Sequence, residues 1–161
     1  MSAAPDDRPS SAFDPRAYEQ RVGLPVLMGY RLTEWSAERA VVELVVGPQH
    51  LNRSSVLHGG VLATLLDSAL GFAGCWCPHP GRYRSAVTLS LTTNYIGQVS
   101  SGVVRTIARK GPGDSRIYTC TGETLGEDGA IIAMAQGVFR YRSGSERPEG
   151  VPRPVPEQES R

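Results

Sequence analysis

The chain has 161 residues, with 17 Lys and Arg set against 16 Asp and Glu, for a net charge of +1. That length predicts one domain with a real hydrophobic core, and the even charge balance excludes both the basic footprint of a nucleic-acid binder and a polybasic membrane surface. No stretch nears the roughly 18 apolar residues of a membrane span. The three cysteines, Cys75, Cys77 and Cys120, form no even framework and point to a reducing, cytoplasmic setting.

In chain order, residues 1–13 are rich in Ala, Ser, Pro and Asp and read as a disordered tail, without the basic and apolar regions of a secretory leader. A short helix is predicted over 15–24, with Asp14 as N-cap and Pro15 at its first position. Two β-rich runs then flank Ser36-Ala37-Glu38, a hairpin pattern that Gly47-Pro48 ends. The only long helical pattern covers about 59–75, where Leu62, Leu65, Leu66, Ala69, Leu70 and Ala73 recur at spacings of three and four. Val61 and Phe72 widen that stripe, so the helix should be largely enclosed.

Strand-like runs follow from Arg84 onward, with the Asp128-Gly129 of a tight turn near the last of them. No helix lies between them, which favours an antiparallel meander over a βαβ sheet. One long helix and about five or six strands give an α+β domain over 14–142, in which the sheet must curl around the helix. Residues 143–161 are Pro- and Glu-rich with few bulky apolar side chains and are expected to be a disordered tail.

Within the helical segment, "HGG" at 58–60 and the lone carboxylate Asp67 stand apart. A helix N-terminus presents unpaired N–H groups and the positive end of the dipole, and glycine there leaves room for close approach. Such a place suits an oxygen gaining negative charge when a carbonyl is attacked. Phosphate fits less well, because the longer glycine loop and the Lys of a P-loop are missing. Gly59 and Asp67 are eight residues apart, about 12 Å along the axis and about 80° around it. One small reacting group cannot touch both within one helix. They are therefore two unrelated features, or parts of a site shared by two chains.

Asn52, His58-Gly59-Gly60, Leu65 and Asp67 together resemble the signature of hotdog-fold acyl-CoA thioesterases, most of all the PaaI-like subgroup named for the phenylacetate pathway. The stretches "GYRLTEWSAERAVVEL", "VTLSLTTNYI", "IARKG" and "GEDGAIIAMAQGVFR" extend the resemblance over about 26–142. The resemblance implies a hotdog fold, a long central helix wrapped by an antiparallel sheet. It implies a thioester hydrolase acting on an acyl- or aryl-CoA, with no metal and no cofactor beyond the coenzyme A of the substrate. It further implies a homodimer, often a dimer of dimers, with active sites between protomers.

On the same resemblance, the Gly59 N–H polarises the thioester carbonyl and Gly60 lies beside it. Asn52 helps hold that end and His58 supports it by hydrogen bonding. Asp67 from the other chain is nucleophile or general base, and Thr88 places water or the carboxylate. Arg109, Lys110 and Arg116 are expected to grip the pantetheine and nucleotide of coenzyme A, since their charge suits phosphates. Ser90 stands where the subgroup often carries an acid. Trp76, Phe72 and Tyr83 are candidates for the acyl pocket. Two other readings remain: an acyl-CoA-binding or regulatory module with little turnover, and a hydratase. The Cys75-Trp76-Cys77-Pro78-His79 run fits no common zinc spacing and reads as a helix end packing two thiols.

Overall fold

The computed structural model describes residues 23–153. The N-terminal tail, Asp14 and nearly all of the expected 15–24 helix fall outside the described residues. The first described element is a five-residue helix, α1 (Leu24–Met28), closed by Gly29 in the left-handed region at φ 75°.

The β1 strand (Arg31–Ser36) and β2 (Arg39–Val45) form the expected hairpin, with Glu38 at φ 61° in the turn. A 3-10 turn over Pro48–His50 follows Gly47, and α2 spans Gly59–Gly74. Then come β3 (Arg82–Tyr83), β4 (Ala86–Tyr95), β5 (Val103–Gly113), β6 (Ile117–Leu125), β7 (Ile131–Tyr141) and β8 (Val151–Pro152). Six strands form one antiparallel sheet in the order β1-β2-β5-β6-β7-β4, with β4 and β1 at its edges. Gly129 takes φ 78° in the β6–β7 hairpin, and the Asp128 carboxylate accepts from the Ala130 N–H at 3.0 Å, as the Asp-Gly pair predicts.

The expected face of α2 is the buried one: Leu62, Leu65, Leu66, Ala69, Leu70 and Ala73, with Val61, all sit in the core. They pack on inward residues of the central strands, including Val42, Val104, Ala108 and Phe139. The helix lies close to the sheet because the sheet makes room for it. A Cβ on Gly122 would stand 2.6 Å from Leu70 Cδ1 and 3.0 Å from the Ile107 carbonyl. At the other end of the contact, a Cβ on Gly74 would overlap the Tyr118 ring at 2.0 Å. The Trp35 Nε1–H donates to the Phe72 carbonyl at 2.8 Å and ties β1 to the last turns of α2.

One boundary is corrected. Residues 143–153, expected to be part of a disordered tail, belong to the folded unit: β8 pairs with β3, and Ser145 is 1% exposed. Composition misleads here because the segment buries little apolar surface of its own. Its carbonyls are held instead by the guanidinium groups of Arg82 and Arg84.

Candidate active site

The start of α2 leaves one backbone donor unused. His58 is the N-cap, and its Nδ1 accepts from the Gly60 N–H at 2.8 Å. The N–H groups of Val61 and Leu62 both reach the His58 carbonyl. Among the described residues, nothing accepts from the Gly59 N–H. Of the four orphan donors that open any helix, those of Gly60 and Val61 reach His58 and that of His58 reaches the His50 carbonyl, while the fourth, the Gly59 N–H, sits at the positive end of the dipole. The Tyr95 ring covers Gly59 closely enough that a Cβ there would lie 3.2 Å from Tyr95 Cε1.

Asn52 shapes the approach to that end. Its Oδ1 accepts from the N–H of Ser54 at 2.8 Å, and its own N–H donates to the Val56 carbonyl at 2.8 Å. The His58 N–H donates to the His50 carbonyl. Buried His50 in turn bridges the Gly47 N–H and the Met28 carbonyl. The loop before α2 is thus held from both sides by backbone bonds.

Asp67 lies half-buried two turns further along α2, and Thr88 Oγ1 donates to its Oδ1 at 2.8 Å. The pair is possible because of a bulge in β4. The β4–β7 register slips between Thr88 and Ser90, so Leu89 is the extra residue. Ala86 and Thr88 face the helix before the slip; Leu91, packed on the core, and Tyr95, over Gly59, face it after. Without the extra residue, one of those sets would point to the outer face.

Asp67 opens into a cavity of about 570 Å³ that runs beside the second half of α2, past Ser68, Gly71, Phe72 and Cys75. Trp35, Tyr30 and Phe139 give it an aromatic wall, while Tyr83, Arg84 and Arg153 stand at the end away from Asp67. Tyr30 and Ser68 share a hydrogen bond of 3.0 Å. Burial pushes the Cys75 thiol above its ordinary range, although the Tyr118 hydroxyl beside it works the other way. It therefore stays a thiol at neutral pH and is a poor nucleophile. The chemistry of the cavity rests on a carboxylate with a hydroxyl donor, set in an apolar trough.

Comparison with known proteins agrees with this geometry. Residues 54–109 match the family model described as "Thioesterase superfamily". A solved structure of a conserved protein from Pseudomonas aeruginosa is 30% identical, covers 73% of this chain and 92% of its own, and superposes with a TM-score of 0.65. The chain belongs to the thioesterase superfamily. The phenylacetic acid degradation protein PaaI of Thermus thermophilus, solved as a mutant, is 26% identical over 72% of this chain and 96% of its own, with a TM-score of 0.63. Mouse acyl-coenzyme A thioesterase 13 is 27% identical over 69% of this chain and 79% of its own. The chain spans 56% of the length of two Mycobacterium tuberculosis relatives, at 31% identity. The superfamily's hotdog fold is the architecture described above.

Set against this thioesterase fold, the residues singled out in the sequence divide into three groups. Asp67 and Thr88 meet. Asn52, His58, Gly59 and Gly60 form the other feature at the helix start, where the Gly60 N–H is taken up by His58 Nδ1. The three cations do not gather. Arg109 is exposed on β5 and lines an outer-face hollow with Asn94, Thr121 and Gln136. Lys110, the next residue in the strand, points to the other face and sits 5.9 Å from the Tyr118 ring centroid. Arg116 lies in a third place, with Arg140 and Arg142. Strand alternation separates what sequence adjacency suggested.

Phe72 and Tyr83 line the cavity as expected, whereas Trp76 stands behind Trp35 at 5.5 Å, edge to face. Ser90 is exposed and, by the register, faces away from Asp67. Tyr30, Trp35, Phe139 and Arg153 were not anticipated. Trp35 carried a usable signal, since it shares the inward parity of Leu32 once the bulge in β1 is allowed for. The two cysteines of the Cys-Trp-Cys run are both buried at the end of α2. Among the described residues, no helix is long and apolar enough to cross a membrane.

Proposed function

We propose that this protein hydrolyses an acyl- or aryl-CoA thioester to the free acid and coenzyme A, at a site completed by a second copy of the chain. The observation that carries this reading is the division of the machinery. The unpaired Gly59 N–H and Asp67 lie on one helix, about 12 Å apart along its axis, and Thr88 joins Asp67 from β4. The thioester carbonyl oxygen needs the first, and the attack on its carbon needs the second.

The edge strand suggests how two copies bring them together. Strand β4 ends the sheet with an unpaired edge ten residues long. It exposes Leu89 at 49%, Tyr95 at 56% and, just beyond it, Ile96 at 60%. Such an edge is a template for pairing. Two β4 strands paired antiparallel about a two-fold axis near Leu91 and Thr92 set Tyr95 of one protomer opposite Thr88 of the other. Because Tyr95 covers Gly59 and Thr88 holds Asp67, the oxyanion donor of one chain then faces the carboxylate of its partner.

The chemistry follows directly. The Gly59 N–H, strengthened by the helix dipole, takes the negative charge that builds on the carbonyl oxygen. Asp67 either attacks the carbonyl carbon, giving an anhydride that water cleaves, or removes a proton from a water that attacks it. The thiolate of coenzyme A leaves in both cases. Thr88 fixes the carboxylate rotamer.

A complementation assay tests the whole arrangement. Gly59→Pro removes the relevant N–H, and its Cβ needs the Tyr95 ring, 3.2 Å away, to give by a few tenths of an ångström. Proline is tolerated at the first helical position, and His58 already has the extended backbone (ψ 135°) that a following proline requires. Asp67→Ala and Gly59→Pro should each be inactive alone. Mixed and allowed to exchange, they should recover about a quarter of wild-type turnover, because half the dimers are then mixed and each holds one intact site. No recovery from two folded, exchanging variants would sink the shared site. Binding of acyl-CoA without release of thiol by the wild type would favour the binding-module reading.

A further inference from the structure

We propose that the C-terminal strap, residues 143–153, closes the far end of the acyl cavity and sets the longest acyl group the site accepts. The inference rests on the thioesterase reading of Asp67 and names the substrate class of that site: acyl or aryl groups that end within about 12 Å of Asp67, the distance along α2 from Asp67 to Cys75.

Asp67 and Thr88 line one end of the cavity, where the thioester must sit, and Tyr83, Arg84 and Arg153 line the other. Tyr83 belongs to β3, and Arg153 follows β8, the strand that pairs with it. Arg153 thus comes from the strap itself, and Tyr83 is held by pairing with it, so this end of the lining depends on the docked strap. An extended dodecanoyl chain starting at Asp67 outruns the floor beside α2 and meets these side chains; a hexanoyl chain does not.

The strap is held by a small number of polar contacts. Arg82 donates to the carbonyls of Glu149 and Gly150, both at 2.6 Å. Arg84 donates to the carbonyls of Ser145 at 2.8 Å and Glu146 at 3.3 Å, and the Arg153 N–H reaches the Gly81 carbonyl at 2.9 Å. Gly150 takes φ 63°, and a Cβ there would stand 2.4 Å from the Tyr83 carbonyl, so close docking needs glycine at that point. Segments held this way, with little apolar burial, detach without the core unfolding. Arg82 does not line the cavity, so removing its side chain loosens the wall and leaves the reacting groups untouched.

The test compares kcat/KM for hexanoyl-CoA and dodecanoyl-CoA in the full-length wild type and in Arg82→Ala. The wild type should prefer hexanoyl. Each methylene newly able to stay buried is worth roughly fourfold in binding, so the dodecanoyl-to-hexanoyl ratio should rise at least about tenfold in Arg82→Ala while hexanoyl turnover stays near wild type. Should Arg82→Ala fail to fold, Arg153→Ala, which trims the wall itself, should move the ratio in the same direction. An unchanged ratio in folded variants overturns the proposal, since a strap that only stabilises the domain would lower melting temperature and leave length selectivity alone.

If the wild type releases thiol from no acyl-CoA, the thioesterase reading falls and the strap is judged by binding instead. Trp35 in the cavity wall reports on occupancy by its fluorescence. Dodecanoate should then bind Arg82→Ala and not the wild type, and equal binding to both would overturn the proposal.

Discussion

Thr88 depends on Asp67 in a way that separates a positioning role from a chemical one. Thr88→Ser keeps the hydroxyl and should keep near-normal turnover. Thr88→Val removes one hydrogen bond to a charged group, worth about 1.5–3 kcal/mol, and should lower kcat about tenfold or more with KM little changed, as steady-state kinetics on a hydrolysed acyl-CoA would measure. His58 has a different part to play. Because its Nδ1 caps α2 through the Gly60 N–H, His58→Ala should cost about 1 kcal/mol of stability in chemical denaturation. It should not abolish turnover, because the donor proposed for the substrate carbonyl is the Gly59 N–H.

Among the elements, the contact between α2 and the sheet is set by what is missing from the strands. Gly122 leaves the space that Leu70 fills, and Gly122→Val should destabilise the fold by about 1–3 kcal/mol through overpacking, seen as a lower denaturation midpoint. On the outer face, Glu34 of β1 pairs with Arg39 of β2 and Arg105 of β5 and so links three strands. Partial burial raises the Glu34 pKa, but the hydrogen bonds and charges of Arg39 and Arg105 outweigh that and hold it below the usual carboxylate range. A depressed carboxylate stabilises the fold above its unfolded pKa and loses that contribution as pH falls through the folded value. Glu34→Gln should therefore narrow the stability difference between neutral pH and acid. The side chains are well exposed, so the effect should be no more than about 1 kcal/mol.

For the molecule as a whole, the decisive surface is the β4 edge. A charge placed there opposes pairing with a second copy. Leu89→Glu should sediment as a monomer in analytical ultracentrifugation, keep the far-ultraviolet spectrum of the wild type, and lose thiol release. Full activity in a proven monomer would refute the shared site and return Gly59 and Asp67 to unrelated roles. In the proposed assembly each cavity would be bounded by its own chain's residues 143–153 at one end and would open toward the partner at the other.

The sequence by itself determined the elements whose signal is local. The three-and-four spacing of leucines and alanines set α2 and its buried face, β-rich runs set the strands, and Asp128-Gly129 set the β6–β7 hairpin. It also singled out Asp67 and Gly59, because a lone acid in an apolar helix and a paired glycine at its start conflict with their surroundings. The resemblance already offered Thr88 as a residue that places the carboxylate, but the bond itself depends on a one-residue bulge in β4 that composition does not announce. Tertiary contact alone also decided the fate of the cations, since neighbours in a strand point to opposite faces. It decided the last boundary too: a proline-rich segment with nothing apolar to bury looks unstructured until two arginines, sixty residues earlier in the chain, are placed beside its carbonyls.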